Sequence, residues 1–581
     1  MSTRDIVLIA STHILLAGLA AAGGAPEPSV SAGVRVNPPG TYPIVEETIT
    51  VRVWTQYLEA AHDGDYAGAA FTGWFEELTN IRLDFVEIVE AALAAERLNL
   101  VLASGDLPDV FMNQQLPLSA QMVYSNGLRG NFIGVDDLIE RNMPNLQRLL
   151  DEYPEYAAQL TMPDGRRYAF PSIEAGCYHC TMSKKMWVYR PWLEELGLEA
   201  PETTEEFYEM LVAFRDGDPN RNGLGDEIPL AAATTGWRGQ PLMPFVMNSF
   251  VYTDPRTFLM RDRDDLVFVP STDEWREGLR YINRLYSERL FAPESFVQSQ
   301  AQLRAIVENE AVPLVGAFPA GWYGVFAVNA SPTGRYADYH PIAPLVGPSG
   351  MRQTTYYPPA IDYHTIITPR ARYPQAIAQM VDWFYESYEN MMLGQFFWEY
   401  DVHYRSLSDA ERQLGLVSRD GTPGRYIDIG NGWTYHAERS IEGWWRMAPK
   451  WDVVNLTAMP LEWADDPTRQ EWRLAEATRD LYEPYRADHH MPPRLVVAER
   501  HQDTLAELTH SLIGESGDPG LVMRYYAAFV TGSRDVNSDS EWDGYLEELR
   551  RAGMDAYVEI WRQTLSRQSR GQGVSDPGGA S

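Results

Sequence analysis

"TITVRVWTQY", residues 48–57, places apolar side chains at Ile49, Val51 and Val53 with polar ones between them. That period of two marks a strand with one face against a core. A helical pattern follows in "GAAFTGWFEELTN" (68–80), then a second strand in "IRLDFVEIV" (81–89). The helix "AALAAERLNLVLASG" (91–105) leads to a third strand within "DLPDVFMNQ" (106–114). Strand and helix in alternation predict an α/β layer built on a mostly parallel sheet. Ligands of such sheets sit outside the carboxyl ends of the strands, where Trp54, Asn113 and Gln114 fall. These three are the first candidates for substrate binding.

Outward from this unit the pattern changes. A Pro/Gly-rich linker (25–43) precedes it, and the segment from about 184 to 310 reads as mostly helical. "APETTEEFYEMLVAFRDG" (200–217) offers Thr203 or Thr204 as N-cap, acids in its first turn and apolar residues at helical spacing. Strand character returns in "AVPLVGAF", "ADYHPIAPLVGP" and "AIDYHTIITP", followed by the amphipathic "PQAIAQMVDWFYESY". From Ala498 on the chain is helical again. A chain that leaves an α/β layer, builds a helical lobe and returns predicts two lobes joined by more than one crossing. The expected boundaries are a signal peptide over 1–25, a linker over 26–45 and a first lobe over 46–175. A second lobe with a metal loop spans 176–320, lobe 1 returns over 321–372, and 373–581 completes lobe 2 with C-terminal helices.

A length of 581 residues exceeds what one core accommodates. The formal net charge of −33 opposes nucleic acid or an anionic membrane surface as partner. "IVLIASTHILLAGLAAAGGA" (6–25), with Arg4 before it and Ala20-Ala21-Ala22 as an A-x-A site, matches a secretory signal. An exported, soluble protein is expected, periplasmic or at the cell surface. The two cysteines stand in "CYHC", at Cys177 and Cys180, with His179 between them. After export they either close a tight disulfide or remain as two small buried residues; a zinc site would need further ligands.

"DPNRNGLGDEIPL" (218–230) carries Asp218, Asn220, Asn222 and Asp226 at positions 1, 3, 5 and 9, with Gly223 at 6 and the Leu224 carbonyl at 7. Alternate oxygen ligands around a glycine turn match the first part of an EF-hand loop, and hard oxygen donors favour calcium. Position 12 is Pro229, so Glu227 must replace the usual bidentate glutamate. Calcium in this loop would be structural.

The helix and loop together, residues 201–230, resemble the extracellular solute-binding proteins of bacterial ABC sugar importers, the large oligosaccharide-binding branch that includes alginate-oligosaccharide-binding proteins. "RLNLVLASGDLPDVF" (97–111), "VDDLIERNMPNLQRLLDEYPEY" (135–156), "DGRRYAFPS" (164–172), "MWVYRPWLEELGLEAP" (186–201) and residues 527–567 are similar to the same family in the same order. The resemblance implies a two-lobe periplasmic-binding-protein fold (type II), an oligosaccharide in the cleft and a calcium site away from it. Carried over, the calcium ligands are Asp218, Asn220, Asn222, Leu224, Asp226 and Glu227. It also implies a membrane permease as partner and a monomeric chain without catalytic residues. Many relatives carry a lipid-anchored cysteine after the signal, a place that "LAAA" occupies here.

Sugar rings pack C–H faces on aromatic rings while their hydroxyls meet planar polar groups. Aromatics in Gly- or Pro-rich loops are the candidates: Trp237 with Arg238, Trp322 with Tyr323, Trp433 with Tyr435, and Trp444 with Trp445. Arg238, like Arg446, could pair a uronate carboxylate in bidentate fashion. The competing expectation is a secreted, calcium-stabilised polysaccharide-degrading enzyme. Such an enzyme needs two carboxylates across a cleft, and no recognisable catalytic context surrounds any acid here.

Overall fold

A computed structural model describes residues 29–571 apart from 32, 58–63, 175–176, 236–241, 264, 328–332, 399, 419–422, 430–441, 453–456, 459–469 and 516–517. The chain first lays down β1 (Ile49–Tyr57), α1 (Ala70–Thr79), β2 (Ile81–Glu90), α2 (Ala94–Ser104), β3 (Val110–Met112) and β4 (Phe170–Glu174). It then crosses to β5 (Met186–Tyr189), α3 (Thr204–Asp216), β6 (Ile228–Leu230), α4 (Asp273–Ser287), β7 (Val315–Pro319) and β8 (Tyr339–Ile342). It returns as β9 (Ile361–Ile367), α5 (Pro374–Asp382), α6 (Tyr388–Phe396) and β10 (Trp451–Asp452). The chain closes with α7 (Leu521–Thr531), α8 (Asp539–Arg551) and α9 (Met554–Gly571).

Two sheets result. The larger has the order β10-β4-β9-β3-β1-β2, the smaller β8-β5-β7-β6. In the larger sheet β1 runs parallel to β2 and β3, and β10 runs parallel to β4. The returning β9 lies antiparallel to both β3 and β4. In the smaller sheet β7 is parallel to β6, while β5 is antiparallel to β7 and β8. Parallel pairing therefore prevails where helices connect successive strands, as β1-α1-β2-α2-β3 requires. Strands that arrive by crossing between lobes enter antiparallel.

Each sheet has its own core. Val51, Val53, Phe111, Ile366 and Met380 belong to the first, and Trp187, Phe214, Val315, Phe529 and Trp542 to the second. Two expected boundaries need correcting on this basis. Residues 339–342 pair with β5 in the small sheet, so the return at 321 comes too early; β9 is the returning strand. Much of 373–452 also packs with the large sheet and not with the second lobe, since α5, Trp444 and Met447 fill its core. The sequence signal failed there because an amphipathic helix shows that it has a buried face, not which sheet covers it. The C-terminal helices do pack in the second core.

Local chemistry explains how α3 is positioned. Thr203 accepts from the Glu206 N–H while the Glu206 carboxylate accepts from the Thr203 N–H, a capping box that stabilises a helix by about 1 kcal/mol. The helix buries Phe207, Met210, Leu211 and Phe214, and Phe214 meets Trp192 edge-on at 5.2 Å. Gly316 of β7 allows this approach, because a Cβ there would lie 2.4 Å from the Phe214 ring. The end of α3 thus delivers the chain straight into residues 218–227. Among the described residues no helix is long and apolar enough to cross a membrane.

Candidate functional site

The site begins where the large sheet's strands end. Asn113 follows β3, is 1% exposed, and donates through Nδ2 to the Gln56 carbonyl at 2.8 Å. Its Oδ1 accepts from the Gln115 N–H. Gln114 donates its backbone N–H to the Arg446 carbonyl and its Nε2 to that of Ala448, at 2.7 and 2.9 Å. Asn113 thus ties the end of β3 to the end of β1, and Gln114 holds a neighbouring loop; the structure gives both a positioning role in place of the expected ligand contact.

That loop, residues 442–450, is tied down at almost every step. The Trp444 N–H reaches the Gly394 carbonyl, Gln395 Oε1 accepts from the Arg446 N–H, and Tyr66 Oη donates to the Trp445 carbonyl. His364 Nε2 donates to the Met447 carbonyl at 2.8 Å. Gln395 Nε2 donates to the Ala448 carbonyl, and the Ser172 hydroxyl to that of Lys450. The glycine at 443 is demanded by packing: a Cβ would stand 2.6 Å from the Gln395 carbonyl oxygen. Arg446 adopts φ +64°, a conformation a non-glycine residue holds only when its surroundings determine it.

On this fixed backbone the side chains alternate. Trp444 is 0% exposed, donates Nε1 to Thr72 Oγ1 at 2.6 Å, and meets Phe71 and Phe75 edge-on at 4.9 and 5.4 Å. It is a core residue, which corrects the expectation that it lines the cleft. Trp445 and Arg446 are half-buried, with the guanidinium 4.7 Å from the indole centroid. Arg446 has no carboxylate within salt-bridge distance among the described residues, and its buried Nε lacks a hydrogen-bond partner. An aromatic face beside an unpaired planar cation is a surface for a sugar ring and its oxygens.

In the smaller lobe, Trp322 follows the carboxyl end of β7 and is half-buried. Gly324 lies beneath it; a Cβ there would stand 2.2 Å from the ring. Gln300 Nε2 donates to the Gly324 carbonyl, and Arg304 reaches the same oxygen. Tyr323 is 2% exposed and packs on Trp187 at 4.8 Å, so it too is a core residue rather than a cleft one. Trp54 is likewise corrected: 1% exposed on a strand flanked on both sides, it donates Nε1 to Glu87 at 2.7 Å. Trp237, Arg238, Trp433 and Tyr435 lie outside the described residues. Tyr66, His364 and Gln395 are the positioning residues that sequence inspection missed. The signal for Gln395 was a polar residue in the apolar "MMLGQFF" run (391–397).

Residues 218–227 fold as a compact polar loop. Asp218 takes φ +47° and Gly223 φ +75°, and the Asp218 carboxylate accepts from the N–H groups of Asn222 and Gly223. Asn222 Oδ1 accepts from the Leu224 N–H. Asn220 and Asn222 both turn amide groups toward the Asp226 carboxylate at 3.0 Å. These two amide hydrogen bonds hold the Asp226 carboxyl below its ordinary range. Glu227 Oε1 is buried with no hydrogen-bond partner, and that burial raises the Glu227 carboxyl. The cysteines of "CYHC" are joined in a disulfide, on a short 3₁₀ turn between β4 and β5.

No family model matches the chain. The fructooligosaccharide ABC transporter substrate-binding protein FusA of Streptococcus pneumoniae is 28% identical over 500 residues, 84% of each chain. The structure of FusA with kestose superposes with a TM-score of 0.67 over 90% of this chain and all of that one, at 25% identity. An EF-hand mutant of FusA in complex with fructo-nystose superposes equally well, at 0.67 over 90% and 100%. An HMO-binding solute-binding protein of Bifidobacterium longum infantis shares the fold, with a TM-score of 0.69 over 89% and 98% of the two chains and 18% identity. Alginate-binding AlgQ2 shares it too, at 0.58 over 90% and 98% and 18% identity. The chain is a relative of the substrate-binding proteins of ABC sugar transporters and has their two-lobe α/β fold. These relatives are binding proteins, and the polysaccharide-degrading alternative finds no support among them.

Proposed function

We propose that this chain, an exported relative of the sugar-binding components of ABC transporters, captures an oligosaccharide between its lobes and delivers it to a membrane permease. The observation that carries this reading is Trp445 beside Arg446: a half-exposed indole and a guanidinium without a carboxylate partner among the described residues, on a backbone pinned to the carboxyl ends of the large sheet. A sugar ring stacks its C–H face on Trp445 and turns oxygens to Arg446. Trp322, at the matching end of β7, receives the ligand from the other lobe. Ligand that touches both walls stabilises the closed arrangement by its differential affinity for it, and the population shifts accordingly. The permease then recognises the closed form.

The relationship to FusA favours a neutral oligosaccharide. The buried Arg446 Nε without a hydrogen-bond partner, and the absence of a carboxylate beside it among the described residues, favour a ligand with an acidic group. A thermal-shift panel of neutral fructo-oligosaccharides and uronate oligosaccharides separates the two. A ligand at a hundred times its dissociation constant stabilises the folded state by about 2.7 kcal/mol. A shift with intact recovered sugar is the expected outcome; hydrolysis of the panel, or no shift with any member, sinks the proposal.

The loop at 218–227 is assigned to calcium. Asp218, Asn220, Asn222, Asp226 and Glu227 would hold it with the Leu224 carbonyl. The orphaned Glu227 Oε1 and the two asparagine amides gathered on the Asp226 carboxylate fit a hard cation. Rotating each amide exchanges its nitrogen for an oxygen, so both asparagines can face a cation. The FusA EF-hand mutant supports the assignment. Bound calcium would tie the end of α3 to the start of β6 and take no part in sugar recognition. Chelation is therefore expected to lower the melting temperature by several degrees, since calcium at a thousand times its dissociation constant contributes about 4 kcal/mol. Asp218→Ala should abolish that calcium dependence while sugar affinity at low temperature is retained. A chelator-insensitive melt would refute the assignment.

A further inference from the structure

The crossing from β4 to β5 carries a cluster that sugar capture does not use. Cys177, His179 and Cys180 present ligand atoms that all lie within 4.8 Å of one another. The His179 ring is buried, with Nε2 3.6 Å from Cys177 Sγ and 4.0 Å from Cys180 Sγ. A tetrahedral cation with metal–sulfur bonds of about 2.3 Å and a metal–nitrogen bond of about 2.0 Å has S···N edges of about 3.5 Å and an S···S edge of about 3.8 Å. The two S···N edges of such a site are thus already in place to within about half an ångström. Only the bond between the sulfurs has to open.

The geometry points to a redox-gated metal site, in which the reduced Cys177 and Cys180 thiolates and the His179 imidazole bind a thiophilic cation, Zn²⁺ or Cu⁺. A dithiol reductant supplies two electrons and two protons; the Cys177–Cys180 bond breaks, two thiols form, and the reductant becomes a disulfide. The cation then displaces the two thiol protons, because thiolate is the ligating form. Exchange with an oxidised disulfide carrier returns the two electrons to that carrier, whose disulfide opens to two thiols with protons from water; the Cys177–Cys180 bond re-forms and the cation is released. Lys185 is fully buried and donates through Nζ to the His179 and Met182 carbonyls, which fixes the turn that carries the ligands. The fourth position is left to water. This cluster uses sulfur and imidazole, whereas residues 218–227 offer only oxygen, so the two sites select different ions.

The test uses the full chain, calcium-saturated, either oxidised or reduced with a metal-inert phosphine. Zn²⁺ affinity is measured by competition with a chromophoric chelator, and Cd²⁺ serves as a spectroscopic probe. Reduced protein is expected to bind one equivalent at least 100-fold more tightly than oxidised protein, with a sulfur-to-cadmium charge-transfer band. Cys177→Ser/Cys180→Ser loses both signals, and His179→Ala weakens binding at least tenfold. Should His179→Ala fail to fold, the cadmium NMR shift of the unmutated protein distinguishes two sulfurs plus nitrogen from two sulfurs plus oxygen. Equal affinity in the two redox states, a shift without nitrogen ligation, or loss of the thermal transition on reduction would each overturn the site.

Discussion

Trp445→Ala lowers oligosaccharide affinity about 30-fold and leaves the melting temperature nearly unchanged, whereas Trp444→Ala, one residue earlier, costs about 3–5 kcal/mol of stability. The two effects separate because the loop backbone is immobile and neighbouring side chains leave it in opposite directions. Trp444 fills the space between Phe71, Phe75 and Phe384 and satisfies its indole N–H on Thr72. Its removal opens a cavity in a fully buried aromatic cluster that cannot collapse without moving α1 and the turn that follows α5. Trp445 is half-buried, so truncation sheds little native packing. Its loss falls on the ligand, where a sugar face of about 80 Å² at 25 cal/mol/Å² is worth about 2 kcal/mol. Calorimetric titration with the sugar from the panel, alongside melts of both variants, checks the pair. Equal losses of stability would mean that Trp445 is also a core residue, and unchanged affinity would remove it from the cleft.

The same dipeptide shows how far the sequence could be read. The β1-α1-β2-α2-β3 unit was legible because each element carries its own period, and the end of β3 lies against the loop that carries Trp445 and Arg446. The role of the residues there was not legible. Asn113 and Gln114 have the planar polar groups that suit sugar hydroxyls, yet the Asn113 amide bonds the Gln56 carbonyl and the Gln114 amide that of Ala448, more than 300 residues away. Tandem tryptophans in a glycine loop likewise look alike in sequence. Which one is buried depends on Phe71 and Phe75 of α1, a long-range contact without local signature. The loop at 218–227 is the opposite case. Its ligand spacing, glycine position and preceding capping box are all local, so its shape followed from the residues themselves.

Acid should lower stability through His364, which holds the loop of the candidate site. This residue is fully buried on β9, where Nε2 donates to the Met447 carbonyl, so Nδ1 accepts from the Thr365 hydroxyl at 2.6 Å. Burial drives its pKa down to about 3, because a second proton would place an unpaired charge in the core. An unfolded histidine takes up that proton below about pH 6.5. Between those values the unfolded state binds more protons than the folded one, so stability is full above the unfolded value and declines as pH falls toward 3. The decline attributable to this one group amounts to about 5 kcal/mol at most. The Met447 carbonyl belongs to the loop that presents Trp445 and Arg446, and because the folded His364 stays neutral until pH nears 3, sugar affinity of the folded protein should hold through the same window. His364→Gln keeps a donor for Met447 but cannot titrate; it should be about 1–3 kcal/mol less stable at neutral pH, and that deficit should vanish on acidification. Denaturant titrations of both proteins from pH 7 to 4 decide the matter: a deficit that stays constant with pH would show that His364 does not couple stability to protons.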